Sequence, residues 1–332
     1  MNRGRITDDP NAGFGRPPKR TRPRTKDRPD YSKAELGRVL GIDRGRYQVE
    51  MDSGVEVRAI KARPLGRKAV IVGDHVRVVG DTSGKPDTLA RIAQVEERKT
   101  ELRRTADDDD PHERPIVANA DQLAIVTALA DPPPRPGMID RVLVAAYDAG
   151  IAPLLILTKA DLAQAGWLID IYSPLGLPVF ATQVGGDLSE IEDVLRGHTT
   201  VLVGHSGVGK STLVNALIPG ANRSTGDVNE VTGKGRHTST SAEALRLPFG
   251  GWVIDTPGVR SFGLSHVTME SVLAAFPDLE VLTEDCPRGC THADDAPECA
   301  LDAAVVDGVL SAERLESFRR MSKVWTTPEW EL

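Results

Sequence analysis

Residues 201–212 read VLVGHSGVGKST. The apolar run from Thr200 to Val203 predicts a short buried strand, and Leu213, Val214, Ala216 and Leu217 predict a helix. Between them lies Gly204-x-x-x-x-Gly209-Lys210-Ser211, so the order is strand, glycine-rich loop, helix. In that context the pattern is a phosphate cradle. Its glycines let backbone N–H groups turn inward around phosphate oxygens, and the helix N-terminus adds partial positive charge. Gly204, His205, Ser206, Gly207, Val208, Gly209, Lys210, Ser211 and Thr212 are therefore candidate nucleotide contacts. Lys210 would reach the β- and γ-phosphates and act in catalysis, and the Ser211 hydroxyl would ligate Mg²⁺.

Three further motifs belong with this loop. Thr158-Lys159-Ala160-Asp161 ends the apolar run PLLIL, where guanine-nucleotide proteins carry Asn-Lys-x-Asp. A carboxylate at Asp161 accepts from guanine N1–H and N2–H₂, a pair adenine lacks. The Lys159 stem packs along the base. Thr158 departs from Asn, though its hydroxyl can still bridge loop and base. Asp255-Thr256-Pro257-Gly258 ends a strand in the manner of Asp-x-x-Gly. Asp255 would hold Mg²⁺ through water, and the Gly258 N–H would sense the γ-phosphate. Between these motifs lies Gly235-Arg236-His237-Thr238-Ser239-Thr240, where Thr238 or Thr240 would complete the Mg²⁺ shell. An ordinary GTPase places the phosphate loop first and the guanine motif fourth. Here residues 158–161 precede 204–212, 238–240 and 255–258, so the domain is circularly permuted.

The flanking regions differ in texture. Residues 1–33 carry ten Lys/Arg against four Asp/Glu, within a chain of net charge −7. They read as a disordered basic tail, either a nucleic-acid arm or a solubilising segment. Residues 34–104 hold about five short β segments separated by turns, which predicts a small closed barrel of the oligonucleotide-binding (OB) type. Arg44, Arg46, Arg58, Lys61, Arg63, Arg67 and Lys68 would line an RNA face or serve as ordinary surface charge. Residues 105–117, with Asp107 to Asp110, read as an acidic linker. From 118 to 265 strands alternate with helices, the pattern of a mostly parallel α/β sheet. No apolar run approaches the roughly eighteen residues of a membrane span, and the N-terminus has no apolar signal core, so a cytoplasmic protein is expected; a monomer is expected separately.

Residues 266–332 read as helical and contain all three cysteines. Cys286-x₃-Cys290-x-His292-x₆-Cys299 offers three thiolates and an imidazole. Four N/S ligands with no open position suit one tetrahedral structural zinc.

The permuted order, with a barrel before it and a Cys/His cluster after it, closely resembles the ribosome small subunit-dependent GTPase A family. GHSGVGKST, GRHTST, DTPGVRSFGL and the cysteine cluster carry the resemblance, which spans residue 37 to the C-terminus. It implies an OB barrel, a permuted P-loop GTPase domain and a zinc-binding helical module. It also implies GTP hydrolysis to GDP stimulated by the 30S subunit, contact with 16S rRNA, and a role in late 30S maturation. The family usually spaces its ligands Cys-x₄-Cys-x-His-x₅-Cys, so the middle pair here sits one residue early.

Where many GTPases carry a water-orienting glutamine after Asp-x-x-Gly, this chain has Val259. His237 is the candidate replacement, with Arg260 the weaker one. Competing readings are an RNA-binding assembly factor holding GTP as a static ligand, and an ATPase or kinase, against which Asp161 argues. Gly258 lies 28 residues before Cys286. That closeness suggests a cysteine module repositioned by the nucleotide switch.

Overall fold

The computed structural model describes residues 30–66, 70–104, 114–221, 242–256, 264 and 267–323. The chain divides into two units, Met1–Lys33 and Ala34–Leu332, and of the first only residues 30–33 are described. His237, Thr238, Thr240, Gly258, Val259 and Arg260 lie outside the described residues, as do Arg67, Lys68 and Asp107–Asp110.

Five strands open the second unit: β1 (Glu35–Asp43), β2 (Arg46–Met51), β3 (Glu56–Lys61), β4 (His75–Gly80) and β5 (Ala90–Val95). They alternate inward apolar and outward polar residues, as in β2, where Tyr47, Val49 and Met51 are buried. The pairing runs β1–β2–β3–β5–β4 and closes as β4 returns to β1. Only β3 and β5 pair in parallel. This is the five-stranded closed barrel of the oligonucleotide-binding fold. At Gly37 a methyl group would lie 2.7 Å from Val49 Cγ1 and 2.9 Å from the Glu50 carbonyl, so tight barrel packing requires the glycine.

Strands β6 (Glu101–Arg104) and β7 (Arg114–Ala118) form an antiparallel hairpin. The expected linker 105–117 is therefore interrupted: its last four residues belong to β7, because Leu102 and Val117 pair and bury their side chains in the main core. The hairpin is pinned to the barrel by a buried charge pair. Asp74 is fully buried, accepts the Ile71 N–H at 2.7 Å, and takes Arg98 Nε at 2.7 Å and Nη2 at 3.0 Å. Arg98 also bonds Glu101.

Next come β8 (Gln122–Ala128), α1 (Pro136–Asp148), β9 (Ala152–Thr158), α2 (Gly166–Tyr172), β10 (Val179–Ala181), α3 (Ser189–Leu195), β11 (Thr199–Val203), α4 (Lys210–Leu217), β12 (Glu243–Arg246) and β13 (Trp252–Asp255). The sheet order is β10-β9-β8-β11-β13-β12, parallel except for β12. Both faces are covered, so the strands read as continuous apolar runs. In β8, Leu123 and Ile125 enter one core while Ala124, Val126 and Ala128 enter the other. β12 and β13 form the hairpin expected around Gly250-Gly251. β12 also pairs with β1 at Gly41↔Glu243, which makes barrel and α/β layer one eleven-stranded sheet. Arg38 reinforces this seam, donating to Thr199 Oγ1 at 2.9 Å and lying 5.4 Å from the centre of the Trp252 ring.

The C-terminal helices are α5 (Met269–Leu273), α6 (Pro277–Leu282), α7 (Ala300–Val306) and α8 (Ala312–Lys323). They explain an oddity of α1, which is buried continuously from Ile139 to Ala146. One side of α1 faces the sheet; the other meets α5 and α8. Phe276 stacks edge-on to both Tyr147 and Phe318. Arg320 binds buried Asp140 at 2.8 Å, and burial still keeps that carboxyl above the usual carboxylate range.

Removing Arg98 strands Asp74 in the interior. Arg98→Ala should cost about 3 kcal/mol, read as a lower urea midpoint with an unchanged m-value; a loss below about 1 kcal/mol would show the pair to be peripheral.

Candidate nucleotide site and metal centre

The phosphate loop leaves the C-terminal end of β11 and enters α4. Two of its glycines are needed for different reasons. A methyl at Gly204 would lie 2.2 Å from the Val126 carbonyl oxygen, so β8 leaves no room for a side chain. Gly207 faces open space except for the Pro132 ring, 3.7 Å from where a methyl would sit, but its φ of +82° disfavours any L side chain. Gly209 sits at φ +92°, and its absent methyl would rest 3.6 Å from Thr158 Oγ1.

Lys210 curls over this loop, its ammonium donating to the carbonyls of Gly204 and of His205, the latter at 3.0 Å. Burial lowers its pKa, and the charge of Asp255 acts in the opposite sense. Ser211 and Thr212 occupy the first turn of α4. Asp255 ends β13 with its side chain buried, and Thr256 anchors the exit by donating to the Leu202 carbonyl at 2.8 Å. A buried carboxylate whose charge is felt at Lys210, with hydroxyls in the first turn of α4, offers hard oxygen donors of the kind that suit Mg²⁺ carried by a polyphosphate.

The guanine-type motif ends the neighbouring strand but one. Thr158 is buried, and its hydroxyl donates to the Val208 carbonyl at 2.6 Å, with the Thr127 carbonyl farther away at 3.3 Å. A hydroxyl has one hydrogen to give. The loop half of the expected bridge is thus a donation from Thr158 to Val208, which leaves the hydroxyl oxygen only an acceptor toward a base. Lys159 follows at φ +58°, and Asp161 is exposed. Ala160 N–H donates to the Thr182 carbonyl at 3.1 Å, and Thr182 N–H donates to Leu157 at 2.8 Å. Thr182 and Gln183, just beyond β10, thus border the motif. Sequence reasoning missed them, because a short strand followed by Thr-Gln carries no motif. It also missed Asp131 and Pro132, whose Pro-rich text reads as a plain turn.

Farther along, Cys286, Cys290, His292 and Cys299 converge, their ligand atoms all within 4.8 Å of one another. His292 Nδ1 lies 3.6 Å from Cys286 Sγ and 3.8 Å from Cys299 Sγ. A tetrahedral ion with Zn–S near 2.3 Å and Zn–N near 2.0 Å spaces its ligands roughly 3.5–3.8 Å apart, so the donor set fits zinc. The loop carrying the ligands has left-handed backbone at Gly289 (φ +79°), His292 (+56°) and Glu298 (+54°). Burial raises the Cys299 thiol to about 11 and lowers the His292 imidazole. Arg319 steadies the loop, donating to the His292 carbonyl at 2.9 Å and gripping Asp302 at 2.7 and 2.8 Å.

With this geometry in place, the family model described as RsgA GTPase matches residues 95–265. The chain belongs to the RsgA GTPase family. A relative from Pseudomonas aeruginosa (strain LESB58), named small ribosomal subunit biogenesis GTPase RsgA, is 40% identical over 301 residues, 88% of this chain and 86% of its own. One of the same name from Azotobacter vinelandii is 40% identical over 271 residues, 79% of this chain and 77% of its own. Among solved structures, YjeQ from Thermotoga maritima matches with a TM-score of 0.63 at 26% identity, covering 89% of this chain and 99% of that one. YloQ, described as a circularly permuted GTPase, matches with a TM-score of 0.62 at 26% identity, covering 89% and 96%. The RsgA assignment agrees with the permuted motif order, the barrel and the three-cysteine, one-histidine cluster.

The two glycines separate collision from backbone strain. Gly204→Ala should cost about 3 kcal/mol by overpacking, and Gly207→Ala about 1–2 kcal/mol through its dihedral alone. Denaturant unfolding of the two variants checks that order.

Proposed function

We propose that this protein hydrolyses GTP to GDP and phosphate on the small ribosomal subunit during late 30S maturation, with turnover stimulated by that subunit. The observation that carries the reading is the joining of a guanine-type motif to a phosphate loop through the Thr158–Val208 hydrogen bond. In this reading Asp161 reads the base edge, and the backbone of residues 204–212 cradles the phosphates. Lys210 turns from the loop carbonyls to the β- and γ-oxygens. Ser211 and Asp255, with Thr238 or Thr240, hold Mg²⁺, which supplies neutralisation of phosphate charge. Gly258 senses the γ-phosphate, and His237 orients the attacking water in place of the glutamine that Val259 cannot supply.

The domain assignment is also ours: tail 1–33, barrel 34–104, connecting segment 105–117, nucleotide domain 118–265 and cysteine module 266–332. Arg44, Arg46, Arg58 and Arg63 are exposed on the barrel, and we assign this face to 16S rRNA backbone. One zinc ion on Cys286, Cys290, His292 and Cys299 serves as a structural pin. The link from nucleotide site to module over residues 257–263 lies outside the described residues. The described contacts attach the module to α1, to α2 and to the turn after α2, through Arg320–Asp140, Ser317 to the Ile171 carbonyl at 3.3 Å, and Arg314 to the Pro174 carbonyl at 2.7 Å. The protein is read as a cytoplasmic monomer; no helix among the described residues is long and apolar enough to cross a membrane.

Two measurements test the reading. Asp161→Asn exchanges an acceptor for a donor that suits the C2 carbonyl of xanthine. It should weaken GTP binding at least tenfold, about 1.4 kcal/mol, and favour xanthosine triphosphate; unchanged preference would exclude guanine reading by Asp161. In single-turnover assays with 30S subunits, His237→Ala should lower kcat about 10²-fold or more while sparing GTP affinity, and Lys210→Ala should lose both. Subunit stimulation below a few-fold in the wild type would favour the static-ligand alternative.

A further inference from the structure

Strand β8 ends at Ala128, and the chain then runs past the guanine-type motif: Leu129 N–H donates to the Thr158 carbonyl at 3.0 Å. Two residues later the Asp131 backbone carbonyl accepts a hydrogen bond from Lys159 Nζ. The next ring, Pro132, lies 3.7 Å from the methyl position of Gly207 in the phosphate loop. One turn thus bonds the lysine of the base motif on one side and faces the phosphate loop at Gly207 on the other. No recognised motif accounts for it.

We infer that the Asp131-Pro132 turn is a positioning element of the nucleotide site, tethering the Lys159 ammonium so that the lysine stem forms a fixed ledge for the purine ring. The inference rests on the guanine reading given above. A lysine stem has four rotatable bonds and loses about 2 kcal/mol of rotamer entropy when ordered. Anchoring its ammonium before the base arrives removes most of that cost from binding. The anchor is a main-chain carbonyl, so its placement depends on the backbone of Asp131 rather than on the carboxylate. That backbone sits at φ +45°, a region Asp and Asn tolerate and β-branched residues resist. Thr158 spends its only hydroxyl hydrogen on Val208, while Lys159 is the side chain of the motif whose ammonium the turn holds.

The test is a double-mutant cycle on the full chain, read by equilibrium titration with a fluorescent GDP analogue. Lys159→Met and Asp131→Val should each weaken GDP binding about tenfold, and the double variant should bind no worse than Lys159→Met alone. Asp131→Asn, which keeps the carbonyl and accepts the left-handed backbone, should recover most of the loss. Melting of each nucleotide-free variant guards against general unfolding. If Asp131→Val lowers that melting point, Asp131→Gly replaces it in the cycle: it loosens the carbonyl without added bulk, and its loss of affinity should vanish on the Lys159→Met background. Additive losses, or a neutral Asp131→Val or its replacement beside a damaging Lys159→Met, would overturn the tether while leaving the guanine reading intact. A neutral Lys159→Met together with a neutral Asp161→Asn would overturn both.

Discussion

The phosphate loop and the end of β8 approach until no side chain fits between them: a methyl on Gly204 would sit 2.2 Å from the Val126 carbonyl. Much of the site's layout depends on that contact. It sets the loop against the sheet edge, brings Val208 within reach of the Thr158 hydroxyl, and leaves Lys210 over the loop carbonyls with Asp255 as its counter-charge. The loop is therefore held by backbone geometry and one buried hydroxyl before any ligand contributes. Such preorganisation is what a phosphate site needs, since donors already in place pay little reorganisation when charge arrives.

Permutation has a structural consequence beyond motif order. Because the guanine-type strand pair comes first in the chain, the phosphate loop and the Asp255 strand come last, and the cysteine-bearing segment follows Asp255 directly in sequence. The cysteine module that follows folds back onto α1, burying a helix that would otherwise be half-exposed. Adjacent arginines on α8 divide the work. Arg319 holds the His292 loop and Asp302, while Arg320 holds Asp140. A metal bound at the cysteines would thereby stiffen the same helix that grips the nucleotide domain. Burial raises the Cys299 thiol, so metal binding there releases its proton and weakens as pH falls.

The barrel is not a separate bead. Its first strand extends the α/β sheet through β12, and Arg38 and Trp252 cross the seam. β12 begins at Glu243, just after the threonine segment at 238–240. In the proposed reading, an RNA-binding surface and a nucleotide switch thus connect through one hydrogen-bonded strand pair, and any coupling carried by it is reciprocal.

Much of this was legible in the sequence, and the divide follows from the range of the forces involved. Glycine spacing, the Asp-Thr-Pro-Gly strand end, the permuted order and the cysteine cluster announce themselves locally, because each chemistry needs particular residue types a few positions apart. The barrel was legible as alternating short strands between turns. The β6–β7 hairpin was hidden, because nine mostly acidic or polar residues separate Arg104 from Arg114 and pairing depends on Leu102 meeting Val117 in a distant core. Thr158 looked like a weakened base contact; the fold turned its single hydroxyl hydrogen toward Val208. Asp131 and Pro132 carry no motif; the fold placed them between Lys159 and Gly207. The sequence by itself determined which chemistries the chain carries and in what order. Only the tertiary structure decided which backbone carbonyls those side chains meet, because such contacts form between strands whose spacing is set by burial and pairing, not by neighbours in the chain.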